Sequence, residues 1–402
     1  MSDRLVRHPK NPSVRLLDGH FYARDPHPHF TWLREHAPVY WDDTGSVWGV
    51  TRHADVMAVS KRSDLFCNRF STRPDAPPVP SMINLDDPLH KKRRNLVNKG
   101  FTPKRVAALE PHVRRICSEL VERARARGRF DFVHDVAAPL PMIMIGDLLG
   151  VEPKDRDMLL RWSDAMILAT SSTATQEHLI GASQAFAEFA AYNQRVVADR
   201  RSRKLSDDLM GVLVHAEIDG ERLDDEALLH DALLILVGGD ETTRHVISGG
   251  TYELLRDAEQ WSRLVESPEL IPQAVEEMLR WVTPIQNMCR TATEDVELGG
   301  QPIRQGDKLL LLYPSANRDE AVFDRPFDFD ITRDPNDHVA FGGYGAHFCL
   351  GSSLARLELR VMFEELAARM PELALASDAP PPRRPSNFIT GIESMPVVLR
   401  GA

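Results

Sequence analysis

Of the four cysteines in the chain, Cys67, Cys117, Cys289 and Cys349, only the last has neighbours that suggest chemistry. It lies in Val339-Ala340-Phe341-Gly342-Gly343-Tyr344-Gly345-Ala346-His347-Phe348-Cys349-Leu350-Gly351, immediately ahead of a helical pattern. Glycine lets a backbone bend sharply or approach a ligand without a Cβ clash, so this density of glycine predicts a tightly wrapped site. At the junction with a helix N-terminus, unpaired N–H groups and the helix field favour a thiolate over a thiol. A sulfur held there can be a nucleophile, with His347 as its base, or a metal ligand, and a plain buried thiol in a glycine turn has the same pattern. No two of the cysteines are closely spaced, which counts against a structural zinc cage, whereas one axial thiolate to haem iron needs a single cysteine.

Two further stretches carry residues in unusual places. Leu233-Leu234-Ile235-Leu236-Val237-Gly238-Gly239-Asp240-Glu241-Thr242-Thr243-Arg244 sits within a long helical pattern. Each glycine there costs about 1 kcal/mol relative to alanine, and the acidic pair must be desolvated between apolar turns. Gly238 and Gly239 would admit a flat cofactor and a diatomic gas, while Thr242 and Glu241 loosen and hydrate the helix and deliver protons. A kinked core helix is the alternative. In Asp86-Asp87-Pro88-Leu89-His90-Lys91-Lys92-Arg93-Arg94, His90 and Arg94 are four apart and can face one anion, although a solvated basic helix reads the same way.

Taken together these stretches resemble the cytochrome P450 monooxygenases. Phe341, Gly345, His347, Cys349 and Gly351 are the marks of the haem-binding loop, with one departure: Gly342 stands seven residues before the cysteine, where the family's aromatic is usual, and Phe341 one place earlier. The resemblance covers nearly the whole chain and is strongest to bacterial enzymes acting on the side chain of cholesterol or cholest-4-en-3-one. It implies a mainly α, triangular single domain over residues 1–402 with small β-sheets. It also implies haem b with Cys349 as axial ligand, and O2 as cosubstrate. Gly238 would then clear space for the cofactor, and His90, Arg94 and Arg290 would pair with the haem propionates. Glu241 and Thr242 would serve oxygen activation, and Glu277, Arg280 and Arg333 would form a structural network behind the cysteine. Residues 71–81, with four prolines, would contribute to the substrate ceiling.

Composition restricts the remaining possibilities. With 402 residues, 43% of them hydrophobic, the chain can bury a large core. A net charge of -10, from 49 Lys plus Arg against 59 Asp plus Glu, argues against a nucleic-acid binder. Residues 1–17 form a polar extension with neither a signal-peptide core nor a transmembrane anchor, so a cytoplasmic enzyme is expected. There is no flavin or nicotinamide fingerprint, and the resemblance implies electrons from a ferredoxin and its NAD(P)H-dependent reductase. Lys91, Lys92, Lys104, Arg105, Arg356 and Arg360 are candidates for a basic docking patch, or serve solubility alone.

Periodicity predicts helices over 21–37, 52–60, 106–126, 142–149, 152–170, 177–198, 207–216, 224–255, 271–281 and 350–370. Strands are predicted within 39–50, 282–290, 296–312 and 396–399. The Ser and Thr run within 167–180 reads as a lid or as a plain surface loop. Candidate substrate contacts are Met82, Ile167, Leu234, Val237, Val282, Ile285, Met288, Phe388 and Ile389, which favour a sterol or another large apolar molecule. Terminal side-chain hydroxylation, continued to the carboxylic acid, is the leading expectation; a fatty acid, terpene or macrolide substrate is the alternative. A haem electron carrier or gas sensor, and a thiol hydrolase without haem, are the competing classes.

Overall fold

The computed structural model describes residues 6–170, 173–203, 208–218 and 220–400. Asp207, where a helix was expected to start, lies outside them, as do parts of the N-terminal stretch and of the 167–180 run. The helices that frame the site are α1 (His53–Lys61), α2 (Leu89–Asn98), α3 (Glu110–Arg125), α4 (Pro139–Leu148), α5 (Arg156–Leu168), α6 (Gln176–Ser202), α7 (Asp225–Arg256), α8 (Ile271–Val282) and α9 (Ser352–Arg369). At 32 residues, α7 is about 48 Å long. Its start is fixed by Asp224, whose side chain accepts from the Ala227 N–H, and by Asp225 and Glu226 in the positive first turn, while Arg256 complements the other end. It is buried along most of its length and packs against α4, α5, α6, α8 and α9, so it forms the axis of the helical core.

Beside the helices lies a five-stranded sheet of β1 (Val39–Asp42), β2 (Val47–Val50), β3 (Phe66–Cys67), β4 (Asn287–Ala292) and β5 (Lys308–Leu312), in the order β1-β2-β5-β4-β3. β5 runs parallel to β2 and antiparallel to β4, with Leu311 opposite Met288 and Leu310 opposite Cys289. Alternation sorts the side chains: Leu309 and Leu311 enter one apolar cluster, Leu310, Leu312 and Cys289 another. On β4 the same alternation turns Met288 and Arg290 toward the central cavity.

Several expected boundaries move for local reasons. Residues 21–37 form two helices, Gly19–Ala23 and His27–His36, because Asp25-Pro26 interrupts the ladder. Helix α8 extends through Val282 and ends on Thr283, whose φ of 39° is left-handed, so β4 starts only at Asn287. Residues 71–81 carry no regular element apart from turns and bends, and 396–399 form the expected terminal strand. Among the described residues no helix is long and apolar enough to cross a membrane.

Candidate active site

The cysteine loop is closed on itself and pressed against α1. The Cys349 N–H donates to the Phe341 carbonyl at 2.9 Å, and the Phe348 N–H to that of Gly345 at 3.0 Å. Gly342 has a φ of 95°, a left-handed conformation that the family's usual aromatic would strain, and Phe341 takes up the aromatic contact instead. Its ring lines the cavity, meets Phe348 edge-on and lies under the Arg356 guanidinium at 4.6 Å. Gly345 does not line the cavity. A Cβ there would overlap the Ser60 carbonyl oxygen, so this glycine permits the loop to seat on α1. Gly351 is the N-cap of α9 and faces open space.

Cys349 carries accessible surface, and that surface faces the cavity rather than the outside of the protein. Burial pushes its pKa up, against the pull of the Gly351 and Ser352 N–H groups and of Arg94 and Arg356. The helix end pulls toward the thiolate as expected but burial outweighs it, and a metal cation over the sulfur would add to that pull. The other three cysteines are buried and their thiol pKa values are raised by desolvation, so they are inert core residues.

Around the cysteine is a rim of cationic and imidazole groups. Arg94 donates to the Phe348 carbonyl, and Arg290 Nη1 to the Cys289 carbonyl at 2.9 Å. Among the described residues, neither guanidinium is paired with a carboxylate. His90 stacks on His347 with ring centroids 3.9 Å apart and its Nδ1 is 3.3 Å from Asp87 Oδ1. The pKa of His347 is driven far down, first by burial and then by Arg290, His90 and Arg94. Two guanidiniums without a carboxylate, beside a pair of stacked imidazoles, have the chemistry required by the two carboxylates of haem.

Across the cavity is the glycine notch of α7. A Cβ on Gly238 would meet nothing within 4 Å, whereas one on Gly239 would overlap Ile145 of α4. Thr242 Oγ1 donates back to the Gly238 carbonyl at 2.8 Å, and Thr242 lines the cavity. Glu241 does not. Its buried carboxylate points away, bound by Arg244, by Arg384 at 2.8 Å and with His245 Nε2 at 3.2 Å; Arg244 also reaches Asp164 at 3.2 Å. Burial alone would raise the Glu241 pKa, but His245, Arg244 and Arg384 hold it well below the usual range. Any contact of Glu241 with water must therefore pass through this cluster.

The cavity, of about 700 Å³, connects the notch to Cys349. A lone thiol, two guanidiniums without carboxylates and a helix with a side chain missing in the same cavity fit haem. Met82, Ile167, Leu234, Val237, Ile285, Met288, Phe388 and Ile389 also line the cavity. Val282 does not: it stays in α8 and packs against Gly249, where a Cβ would stand 2.7 Å from Val282 Cγ2. Behind the loop, Glu277 binds Arg280 with two 2.7 Å contacts and Arg333 with one of 3.1 Å. Arg280 also holds the Asn317 carbonyl at 2.8 Å, and Asn317 Oδ1 accepts from the Val339 N–H at 2.7 Å, so the network reaches the first residue of the cysteine loop.

Sequence reasoning missed Arg384, which binds Glu241, the pairing of Asp164 with Arg244, and His230 and Glu358, which line the cavity. Glu358 has its pKa raised to about 8 by burial and by Asp240. The i, i+9 spacing of Glu358 from Cys349 was the only signal available for it, and Arg384 had none.

A single cavity-facing thiol opposite a glycine-notched helix in this fold fits a haem-thiolate oxygenase. The cytochrome P450 family model matches residues 262–369. The chain is 49% identical over 390 residues to the steroid C26-monooxygenase of Mycobacterium tuberculosis, covering 96% of this chain and 97% of that one. It is 39% identical over 387 residues to the methyl-branched lipid omega-hydroxylase of the same species, covering 92% and 90%. Its fold superposes on a Mycobacterium marinum cytochrome P450 in complex with pseudoionone with a TM-score of 0.90 at 34% identity, covering 98% of this chain and 99% of that one. The chain belongs to the cytochrome P450 family and is a monooxygenase. Family and fold imply a haem-thiolate cofactor and the use of O2.

Proposed function

We propose that the protein hydroxylates the terminal side-chain carbon of a steroid such as cholesterol or cholest-4-en-3-one, and carries the alcohol on to the carboxylic acid in further turnovers. The observation that carries this reading is the apolar cavity leading to Cys349 in a chain so similar to a steroid C26-monooxygenase. Cys349 would ligate the haem iron, Arg94, Arg290 and His90 would hold the haem carboxylates, and Gly238 would leave room above the macrocycle. When bound, the haem supplies the reductive activation of O2. The chain's own residues bind, orient and move protons. Met288, Ile285, Phe388 and Ile389 present an apolar wall that seats a hydrocarbon end and excludes water. Thr242, whose hydroxyl proton is committed to the Gly238 carbonyl, leaves its oxygen free to accept a proton-donating water in the cavity. Glu241 would relay a proton from bulk water to that site once Arg384 or Arg244 moves off its carboxylate, taking the proton up on one side and passing it on at the other.

Electrons come from a ferredoxin and its NAD(P)H-dependent reductase. The docking charge is narrower than sequence suggested. Arg356 is bound to Glu276 at 2.7 and 2.8 Å, and Arg360 to Glu110 at 2.6 Å and Glu364 at 2.8 Å. Lys91 and Lys104, both exposed, are the leading docking candidates.

The test is titration of haem-loaded protein with sterols and with methyl-branched fatty acids, followed by product analysis with a ferredoxin system. A low-to-high-spin shift with sterol and oxidation of its side-chain end support the reading. Spin shift with the branched acids alone, or oxidation of the steroid rings, overturns it.

A further inference from the structure

Helix α7 measures the cavity along its length. His230, Gly238 and Thr242 all line it, and at 1.5 Å per residue His230 stands about 12 Å along the axis from Gly238 and about 18 Å from Thr242. That is the span of a sterol with its side chain extended. His230 is therefore well removed along α7 from the glycine notch that lies across the cavity from Cys349, and the walls contributed there by α6 and α7 are otherwise mainly apolar.

Its imidazole is placed for a ligand and not for the fold. The ring stacks on Phe186 of α6, with centroids 6.0 Å apart and planes at 30°. Nδ1 is buried without a hydrogen-bond partner, and among the described residues no protein group bonds Nε2. Of the charges near it, Glu226, Asp231 and Arg93, the last two are bound to each other at 2.5 Å, and Asp231 Oδ1 accepts from the Met82 N–H at 2.8 Å. That last bond ties the ceiling segment beside this turn of α7. It brings to the same end of the cavity a second orphan, Ser81, whose buried Oγ has no partner. Unsatisfied polar groups are rare in buried positions and call for an occupant. Burial lowers the His230 pKa, so at neutral pH the ring has one N–H donor and one acceptor lone pair.

Resting on the steroid reading above, we propose that His230 is a specificity-determining residue that hydrogen-bonds the oxygen on the steroid ring end and so directs the hydrocarbon end toward Cys349. As donor it takes a ring ketone, and as acceptor a ring hydroxyl, which matches cholest-4-en-3-one and cholesterol alike. The role is one of positioning by recognition, distant from the reacting atoms.

The experiment compares cholest-4-en-3-one, cholesterol and cholestane, which has the same skeleton without the ring oxygen, each delivered in cyclodextrin to haem-loaded protein and read by spin-state titration. The natural sequence is expected to bind the two oxygenated sterols about tenfold tighter than cholestane, the ratio expected from one net hydrogen bond. His230→Phe keeps a ring against Phe186 and should bring that ratio to about one while leaving cholestane affinity in place. His230→Leu is read in the same way should the first variant fail to take up haem. A tenfold preference that survives both substitutions overturns the role of His230 and leaves the steroid reading intact. Absence of any sterol spin shift in the natural sequence overturns the steroid reading, and this role with it.

Discussion

Adding one methyl group at either of two adjacent glycines of α7 should have opposite consequences. Replacing glycine by alanine inside a helix is worth about 0.8–1.0 kcal/mol of stability. At Gly238 the new Cβ meets nothing within 4 Å, so Gly238→Ala should be more stable by about 1 kcal/mol. At Gly239 it would overlap Ile145 Cδ1 and stand 2.7 Å from Cγ1, and Ile145 is itself only 3% exposed within the main core. Displacing a packed side chain costs about 1–3 kcal/mol, so after the propensity gain Gly239→Ala should be unchanged or weaker by up to about 2 kcal/mol. Urea unfolding of the haem-free variants, followed by circular dichroism, should therefore separate their stabilities by about 1–3 kcal/mol with Gly238→Ala the more stable. A bulkier Gly238→Leu should fold yet slow carbon monoxide binding, because its side chain enters the cavity. Equal stability of the two alanine variants, or unhindered gas binding with leucine, would refute the assignment of which glycine faces the cofactor space.

Glu277→Gln should lower stability by about 3–5 kcal/mol, read as a reduced urea midpoint, since it leaves the Arg280 and Arg333 guanidiniums buried without their carboxylate. Arg94→Gln and Arg290→Gln each remove a charged donor proposed for the haem carboxylates and should accelerate haem transfer to apomyoglobin about tenfold or more, with little change in secondary structure. Acid stability should follow His245, whose pKa is lowered to about 4 by burial, against the pull of Glu241. Its folded value lies below the unfolded 6.5, so nothing is lost above pH 6.5, and as pH falls from there to about 4 the unfolded chain takes up a proton that the fold refuses. The loss is roughly 3 kcal/mol, and His27, also depressed by burial, adds the same sign. His245→Phe should flatten the slope of stability between pH 6.5 and 4.5, measured by urea titration at each pH.

The long helix, the cysteine loop and the cationic rim were legible because each breaks a local rule that has few remedies. Glycines and carboxylates in mid-helix, or glycines crowded beside a cysteine, imply a neighbour that local propensity does not supply. Identity of the residue was easier to read than direction of the side chain. Glu241 and Thr242 are adjacent on a helix and so point about 100° apart, which is why one lines the cavity and the other is sealed by Arg384, Arg244 and His245. Val282 was assigned to a cavity strand, but the left-handed Thr283 that ends α8 one residue later keeps it in the helix. Arg384 is distant in sequence from every motif, and only the tertiary fold brings it to Glu241; His230 lies on α7 just ahead of the glycine-bearing run, but the direction of its side chain into the cavity had no local signal.

The central claim is that the Cys349 sulfur is bonded to haem iron at the closed end of an apolar cavity. X-ray absorption at the iron edge of purified, haem-replete protein tests it directly, with Cys349→Ser as the reference. The account predicts a sulfur scatterer at bonding distance in the natural sequence and its loss in the serine variant. Iron ligated only by nitrogen and oxygen in the natural sequence, or a sulfur ligand that survives Cys349→Ser, would contradict it.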